Sequence, residues 1–160
     1  DVAKRQFPFR VTALGRGLGK YGYNPRLAPW VRQNAGRFDA VVMHGLWNYS
    51  SVGAWLGLRR TSTPYYIFTH GMMDPWFRHA YPLKHFAKQV YWWFAEGRVL
   101  RDAQKVLFTT EEEMVRARNV FSGYSYNERV VRYGTVDPAG DEGAEVPADA
   151  IRDCPAVAAG

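Results

Sequence analysis

Two histidines stand where strands should end. Thr69-His70-Gly71-Met72-Met73-Asp74-Pro75-Trp76 follows the apolar run Pro64-Tyr65-Tyr66-Ile67-Phe68. His44-Gly45-Leu46-Trp47 follows Ala40-Val41-Val42-Met43. An imidazole can hydrogen-bond or transfer protons near neutral pH. Open α/β sheets hold their ligands outside the carboxyl ends of the strands. A glycine beside each histidine lets the backbone turn with φ > 0 or come close to a ligand. Asp74-Pro75 reads as a turn, because proline fixes its own φ and disfavours helix in its predecessor. The two endings, each with aromatic residues just beyond, predict two walls of one cleft.

Other residue sets carry less chemistry. Glu111-Glu112-Glu113 offers carboxylates for catalysis. It equally fits a helix start, with Thr110 as N-cap and Glu113 completing a capping box where negative charge suits the dipole. His79 and His85 lie in a basic helical stretch and read as surface. No histidine pair has the i, i+4 spacing and acidic third ligand of a helical zinc site, so no metal is expected. Gly15-Arg16-Gly17-Leu18-Gly19-Lys20 departs from the Walker pattern: Leu14 stands at the first glycine position and Tyr21 at the Ser/Thr. It reads as a basic loop, with Arg16 and Lys20 available to an anion. Residues 84–94 combine basic and aromatic side chains on a helical pattern. They fit a membrane surface, and core packing explains the aromatics equally well.

These residues need elements to position them. Val11 to Leu14 suggests a short strand, followed by a loop with glycines at 15, 17, 19 and 22. Asn24-Pro25 opens a helix through Leu27, Trp30 and Val31 that stops near Gly36. A strand spans residues 38–43. Ser50 or Ser51 caps a helix through Val52, Trp55 and Leu58, broken by Thr63-Pro64, and a strand follows over 65–69. The longest helical pattern runs from Leu83 to Leu100, with a break near Gly97. A strand over 105–109, a helix from Thr110 to about Asn119 and a strand over 129–133 complete the order. Alternating helices and apolar strands predict an α/β, Rossmann-like parallel sheet with helices on both faces.

Bulk properties narrow the classes. At 160 residues, 47% hydrophobic and 16% aromatic, the chain suits one globular domain. No apolar run approaches the ~20 residues of a membrane-spanning helix. The first residues lack the apolar region of a secretory signal, and a start at Asp1 suits a piece of something longer. A single cysteine, Cys154, fits a reducing compartment. Residues 1–137 hold 20 Lys/Arg and 10 Asp/Glu, a net +10, whereas 138–160 hold one Arg and five acids, a net −4. The basic body suits an anionic partner or simple solubility. Residues 1–137 read as the domain and 138–160 as a linker or tail.

Taken together, His44-Gly45-Leu46-Trp47, Pro64-Tyr65-Tyr66, Thr69 to Trp76, the run Leu100 to Glu113 and Val131-Arg132-Tyr133-Gly134 resemble the N-terminal half of family 4 glycosyltransferases. The match in order and spacing covers about residues 38–134. The resemblance implies one partial half of the two-domain GT-B architecture. It implies transfer of a sugar from a nucleotide-sugar to a sugar or lipid-linked acceptor, with retention at the anomeric carbon and no cofactor. It makes His70 the catalytic residue beside the donor sugar. His44, Gly45, Trp47, Gly71, Met72, Asp74 and Glu113 become substrate-binding residues. The donor nucleotide belongs mainly to a second domain, so the chain is expected to be inactive alone. Polysaccharide or lipopolysaccharide synthesis in the cytoplasm, with peripheral contact at the inner membrane face, is the expected setting. A basic nucleic-acid-binding module without catalysis is the alternative, although no nucleic-acid partner is expected on the first reading.

Overall fold

The computed structural model describes residues 10–132, apart from the side chains of Phe77 and His79. Four parallel strands form its sheet: β1 (Val41–His44), β2 (Tyr65–Phe68), β3 (Lys105–Phe108) and β4 (Glu128–Val130), side by side in that order. Register pairs His44 with Phe68, Phe68 with Leu107 and Phe108 with Val130. Helix α1 (Leu27–Asn34) precedes β1 and α2 (Tyr49–Leu58) follows it. Helices α3 (Trp76–Ala80), α4 (Pro82–Tyr91) and α5 (Gly97–Asp102) join β2 to β3, and α6 (Glu111–Ala117) joins β3 to β4. This is the Rossmann-like parallel α/β sheet expected from the alternation, although among the described residues the helices cover one face rather than both.

Each strand lies beside its predecessor and steps the same way. Right-handed crossovers therefore put the connecting helices on one face. Met43, Tyr65, Ile67, Val106 and Phe108 point to that face at period two, and pack with Trp55, Leu58, Trp92, Val99 and Leu100. Val42, between two core-facing neighbours, is 50% exposed on the other face. A second helical layer needs a reversal of strand order, and none occurs within residues 10–132. Helix α1 joins the layer by packing on α2. A Cβ at Gly57 would lie 2.7 Å from the Ala28 carbonyl oxygen and from Val31 Cβ, so only glycine allows this approach.

Several local expectations are corrected. Residues 11–14 form no strand; the chain instead closes a turn in which Leu18 and Tyr23 exchange backbone hydrogen bonds, with Gly19 and Gly22 at positive φ. Helix α2 is capped by Asn48, not by Ser50 or Ser51. Asn48 has extended backbone, and its Oδ1 accepts from the Ser50 amide at 2.9 Å. The long pattern from Leu83 to Leu100 is three pieces, α4, a π-helical turn over Trp92–Glu96, and α5. Helix α3 was not expected. Asp74 caps it, Oδ1 accepting from the Trp76 amide at 2.8 Å, and Pro75 sets its first turn. Strand β1 starts at Val41 rather than 38, because a 3-10 turn over Ala35–Arg37 occupies the link. Tyr133, Gly134 and the expected tail 138–160 lie outside the described residues. Among the described residues, no helix is long and apolar enough to cross a membrane.

Candidate functional site

The sheet register brings the two histidines together. His44 ends β1, and the chain leaves β2 at His44's register partner Phe68 and reaches His70 two residues later. His44 Nδ1 and His70 Nε2 lie 2.9 Å apart in a hydrogen bond. One nitrogen donates and the other accepts, so the tautomers of the two rings are linked. Both rings lie nearly parallel to the Phe68 ring, at centroid distances of 5.3 and 5.6 Å. Both remain exposed to solvent.

The backbone around them is held in unusual shapes. His70 has φ +49° and Trp47 φ +66°, rare for residues with a Cβ; Gly71 (φ +71°) and Gly45 (φ +84°) take the same region at little cost. Such conformations persist where surrounding contacts over-determine them. Here Met72 ties the two turns together. Its Sδ accepts from the Leu46 amide at 3.1 Å, and its carbonyl accepts from Trp47 Nε1 at 3.1 Å. The Trp47 ring is anchored against Phe121 at 5.0 Å, with the Lys88 ammonium 4.6 Å from its centroid.

Glu113 locks the second turn from below. Its Oε1 accepts from Thr69 Oγ1 at 2.6 Å and from the Gly71 amide at 2.7 Å. Its Oε2 accepts from the Thr109 amide at 2.8 Å and Thr109 Oγ1 at 2.7 Å. Burial pushes this carboxyl up, but the bonds from Thr69, Thr109 and Gly71 outweigh it and hold it below its ordinary value. The expected cap forms on one side, with Thr110 Oγ1 accepting from the Glu113 amide at 3.1 Å. The Glu113 carboxylate does not return to Thr110, however; it reaches across to β2. Asp74 is similarly engaged, with Oδ2 3.4 Å from Arg116 while Oδ1 caps α3.

Glu96 is the residue that motif reading missed. It is fully buried in the π-helical turn. The Ser51 hydroxyl, the Trp47 amide and the Tyr91 hydroxyl surround its carboxyl, none in full hydrogen-bond geometry. Burial pushes it up to about 7. The available signal was its isolation, since no other acid occurs between Asp74 and Asp102. The fold keeps this carboxyl protonated to higher pH than the unfolded chain does. Its contribution to stability is therefore complete below about 4.5 and is lost as pH rises to about 7. Glu96→Gln should remove that slope and raise stability at pH 7.5 by up to roughly 3 kcal/mol. Urea unfolding from pH 4 to 8 measures it, and an unchanged pH slope would contradict the assignment.

The remaining histidine with described contacts, His85, does not join the site. Its ring is half-buried and stacks on Phe121 at 5.0 Å, rather than standing free on the surface. Burial, then Arg78 and Lys88, lower its pKa. Arg16 and Lys20 lie in the exposed turn before α1. Beside Gly71, Asp74, Glu113 and Arg116 the surface has only a small cleft of about 20 Å³. A wider open groove of about 470 Å³ runs between α1 and α2, lined in part by Arg32, Arg59 and Arg60. It reaches the carboxyl-terminal end of α2, away from the strand ends that carry the imidazoles. The paired imidazoles, with their built support, are the candidate site at the strand ends; the larger groove lies apart from them.

Residues 1–134 match the family described as Glycosyl transferase 4-like domain. Searches of curated proteins and of solved structures return no significant match. Members of such a family transfer sugar from a nucleotide-sugar donor to a sugar acceptor. With its Rossmann-like parallel sheet, the chain belongs to the glycosyl transferase 4-like domain family, as part of a GT-B N-terminal domain.

Proposed function

We propose that this domain forms the acceptor side of a retaining glycosyltransferase, with His70 beside the transferred sugar. The observation that carries the reading is the His44–His70 hydrogen bond, at the carboxyl ends of adjacent parallel strands. When the anomeric carbon separates from the donor phosphate oxygen, positive charge builds on the sugar and negative charge on the phosphate. An enzyme helps chiefly by orientation and by fixed dipoles. His70 hydrogen-bonds the sugar, and His44 fixes the plane and tautomer of the His70 ring. Gly45, Trp47, Gly71 and Met72 shape the wall around the acceptor. Asp74 and Glu113 serve it by holding the His70 turn in place.

The shallow surface at these strand ends suits half of a cleft. A facing domain would add the second wall, the donor nucleotide site and the cations that steady the departing phosphate. On this reading the chain alone turns over no substrate. Its setting is polysaccharide or lipopolysaccharide synthesis at the cytoplasmic face of a membrane. The competing reading, a nucleic-acid module, draws on residues 10–64, which hold eight Lys/Arg and one acid.

Amide chemical-shift titration of the chain separates the two. Saccharide acceptors and nucleotide-sugars should move amides of residues 44–47 and 69–74, while oligonucleotides bind weakly. Tight, salt-dependent oligonucleotide binding without sugar-induced shifts would contradict the proposal. Robust turnover by the isolated chain would contradict its acceptor-side assignment.

A further inference from the structure

Helix α4 is amphipathic the wrong way round for a core helix. None of its ten residues is buried. Leu83 is 86% exposed and Phe86 66%, and Phe94 on the following π-helical turn is 70% exposed. At 3.6 residues per turn, Leu83, Phe86 and Val90 share one face. The opposite side meets the body. There Tyr91 hydrogen-bonds Tyr21, Lys88 lies over Trp47, His85 stacks on Phe121, and Gln89 exchanges two hydrogen bonds with Ser122. The apolar stripe therefore points away from the domain. Trp76 and Tyr81, on and just after α3, are exposed beside it.

Charge says what covers this stripe. From Pro75 to Ala95 there is no acidic residue, but there are three cations, Arg78, Lys84 and Lys88. Lys84 lies 4.5 Å from the centroid of the Tyr81 ring, at the flank of the stripe. Apolar and aromatic side chains on one face with cations at the margins suit the boundary between acyl chains and anionic headgroups. A protein partner with an acidic rim would meet the cations but would need its own apolar groove. A bilayer supplies both layers at once.

We propose that the outward face of α4, with Trp76, Tyr81 and Phe94, docks on the surface of an anionic lipid bilayer. Its apolar side chains enter the interface, and Arg78 and Lys84 meet the headgroups. Because Lys88 and Tyr91 on the inner side touch the Trp47 turn, a docked α4 holds the histidine pair close to the lipid surface. That last consequence, delivery of a lipid-linked acceptor to the site, rests on the transfer reading; the docking itself does not.

Flotation with sealed vesicles tests it. The wild-type chain should float with phosphatidylcholine vesicles that contain phosphatidylglycerol, and about tenfold less with phosphatidylcholine alone. L83E/F86E should lower binding to the anionic vesicles by at least about tenfold. R78E/K84E should lower it and remove most of its salt dependence. R59E/R60E, an equal charge change on the α1–α2 groove, should leave it near wild type. Both apolar targets are exposed, so the variants should fold; L83S/F86S repeats the test without added charge. Equal binding to both vesicle types overturns the proposal, as does wild-type binding by L83E/F86E and L83S/F86S. An equal loss in R59E/R60E would mean diffuse charge attraction instead. A wild-type dimer that L83E/F86E converts to monomer would make a second copy the occupant. Failure of the transfer reading would show separately, as vesicle binding that persists without any sugar-induced shift at residues 44–47 and 69–74.

Discussion

Glu113→Ala is expected to destabilise the domain by roughly 2–4 kcal/mol and to lower Tm by on the order of 10 °C. One carboxylate accepts four hydrogen bonds, from Thr69, Gly71 and twice from Thr109. Alanine removes every acceptor at once. Thr69 is fully buried, so its hydroxyl would lose its partner where water does not reach. The Gly71 and Thr109 amides cannot reverse their role as donors. Glu113→Gln separates charge from shape. An amide keeps one acceptor oxygen but presents N–H₂ to two former donors, so roughly half the loss should remain. The pH dependence has a definite sign. A carboxyl held below its ordinary value stabilises the fold above about 4.5, and that contribution is lost as pH falls through its folded value. Both variants should therefore flatten the acid limb of the stability profile. Urea unfolding between pH 3 and 7 measures the effect. A change within about 0.5 kcal/mol would show that the clamp is incidental.

His70→Ala should act on catalysis instead. If, as proposed, the domain works with a donor-binding half, kcat/KM of that enzyme should fall by about 10²–10³, or about 3–4 kcal/mol of transition-state stabilisation. The chain should stay folded, because the ring is exposed and the turn is held by Glu113 and Met72. KM for the nucleotide-sugar should change little, since on the proposed reading the imidazole meets the sugar and not the nucleotide. His70→Gln should recover part of the rate by offering an N–H at a similar reach. A kcat unchanged by His70→Ala would remove His70 from the site.

Much of this arrangement was legible in the chain itself. Apolar runs ending in His-Gly marked β1 with His44 at its end and β2 with His70 just beyond it, because side-chain period and glycine turns are local signals. Thr110 was legible as a cap for the same reason. What the spacing could not show was the join between distant residues. Glu113 lies 44 positions from Thr69 and 42 from Gly71, and only the β2–β3 register brings its carboxylate under the turn. Nor could periodicity separate α4 from the core. Leu83, Phe86 and Val90 make an apolar stripe whether it faces inward or out, and only packing around His85 and Gln89 decides. The π-helical turn was hidden because Trp92 to Glu96 contains no helix breaker. Asn48 was overlooked beside two serines, although its side chain reaches the Ser50 amide.

The central claim is that His44 and His70 act as one sugar-facing unit. A double-mutant cycle in the transfer reaction tests it most directly, with kcat/KM measured for His44→Ala, His70→Ala and the double variant. If His44 works only through the His70 ring, its loss should cost about tenfold in the wild type and almost nothing once His70 is gone. The double variant should then match His70→Ala. Losses that multiply would mean two independent residues, and the shared hydrogen bond between Nδ1 and Nε2 would have no part in catalysis.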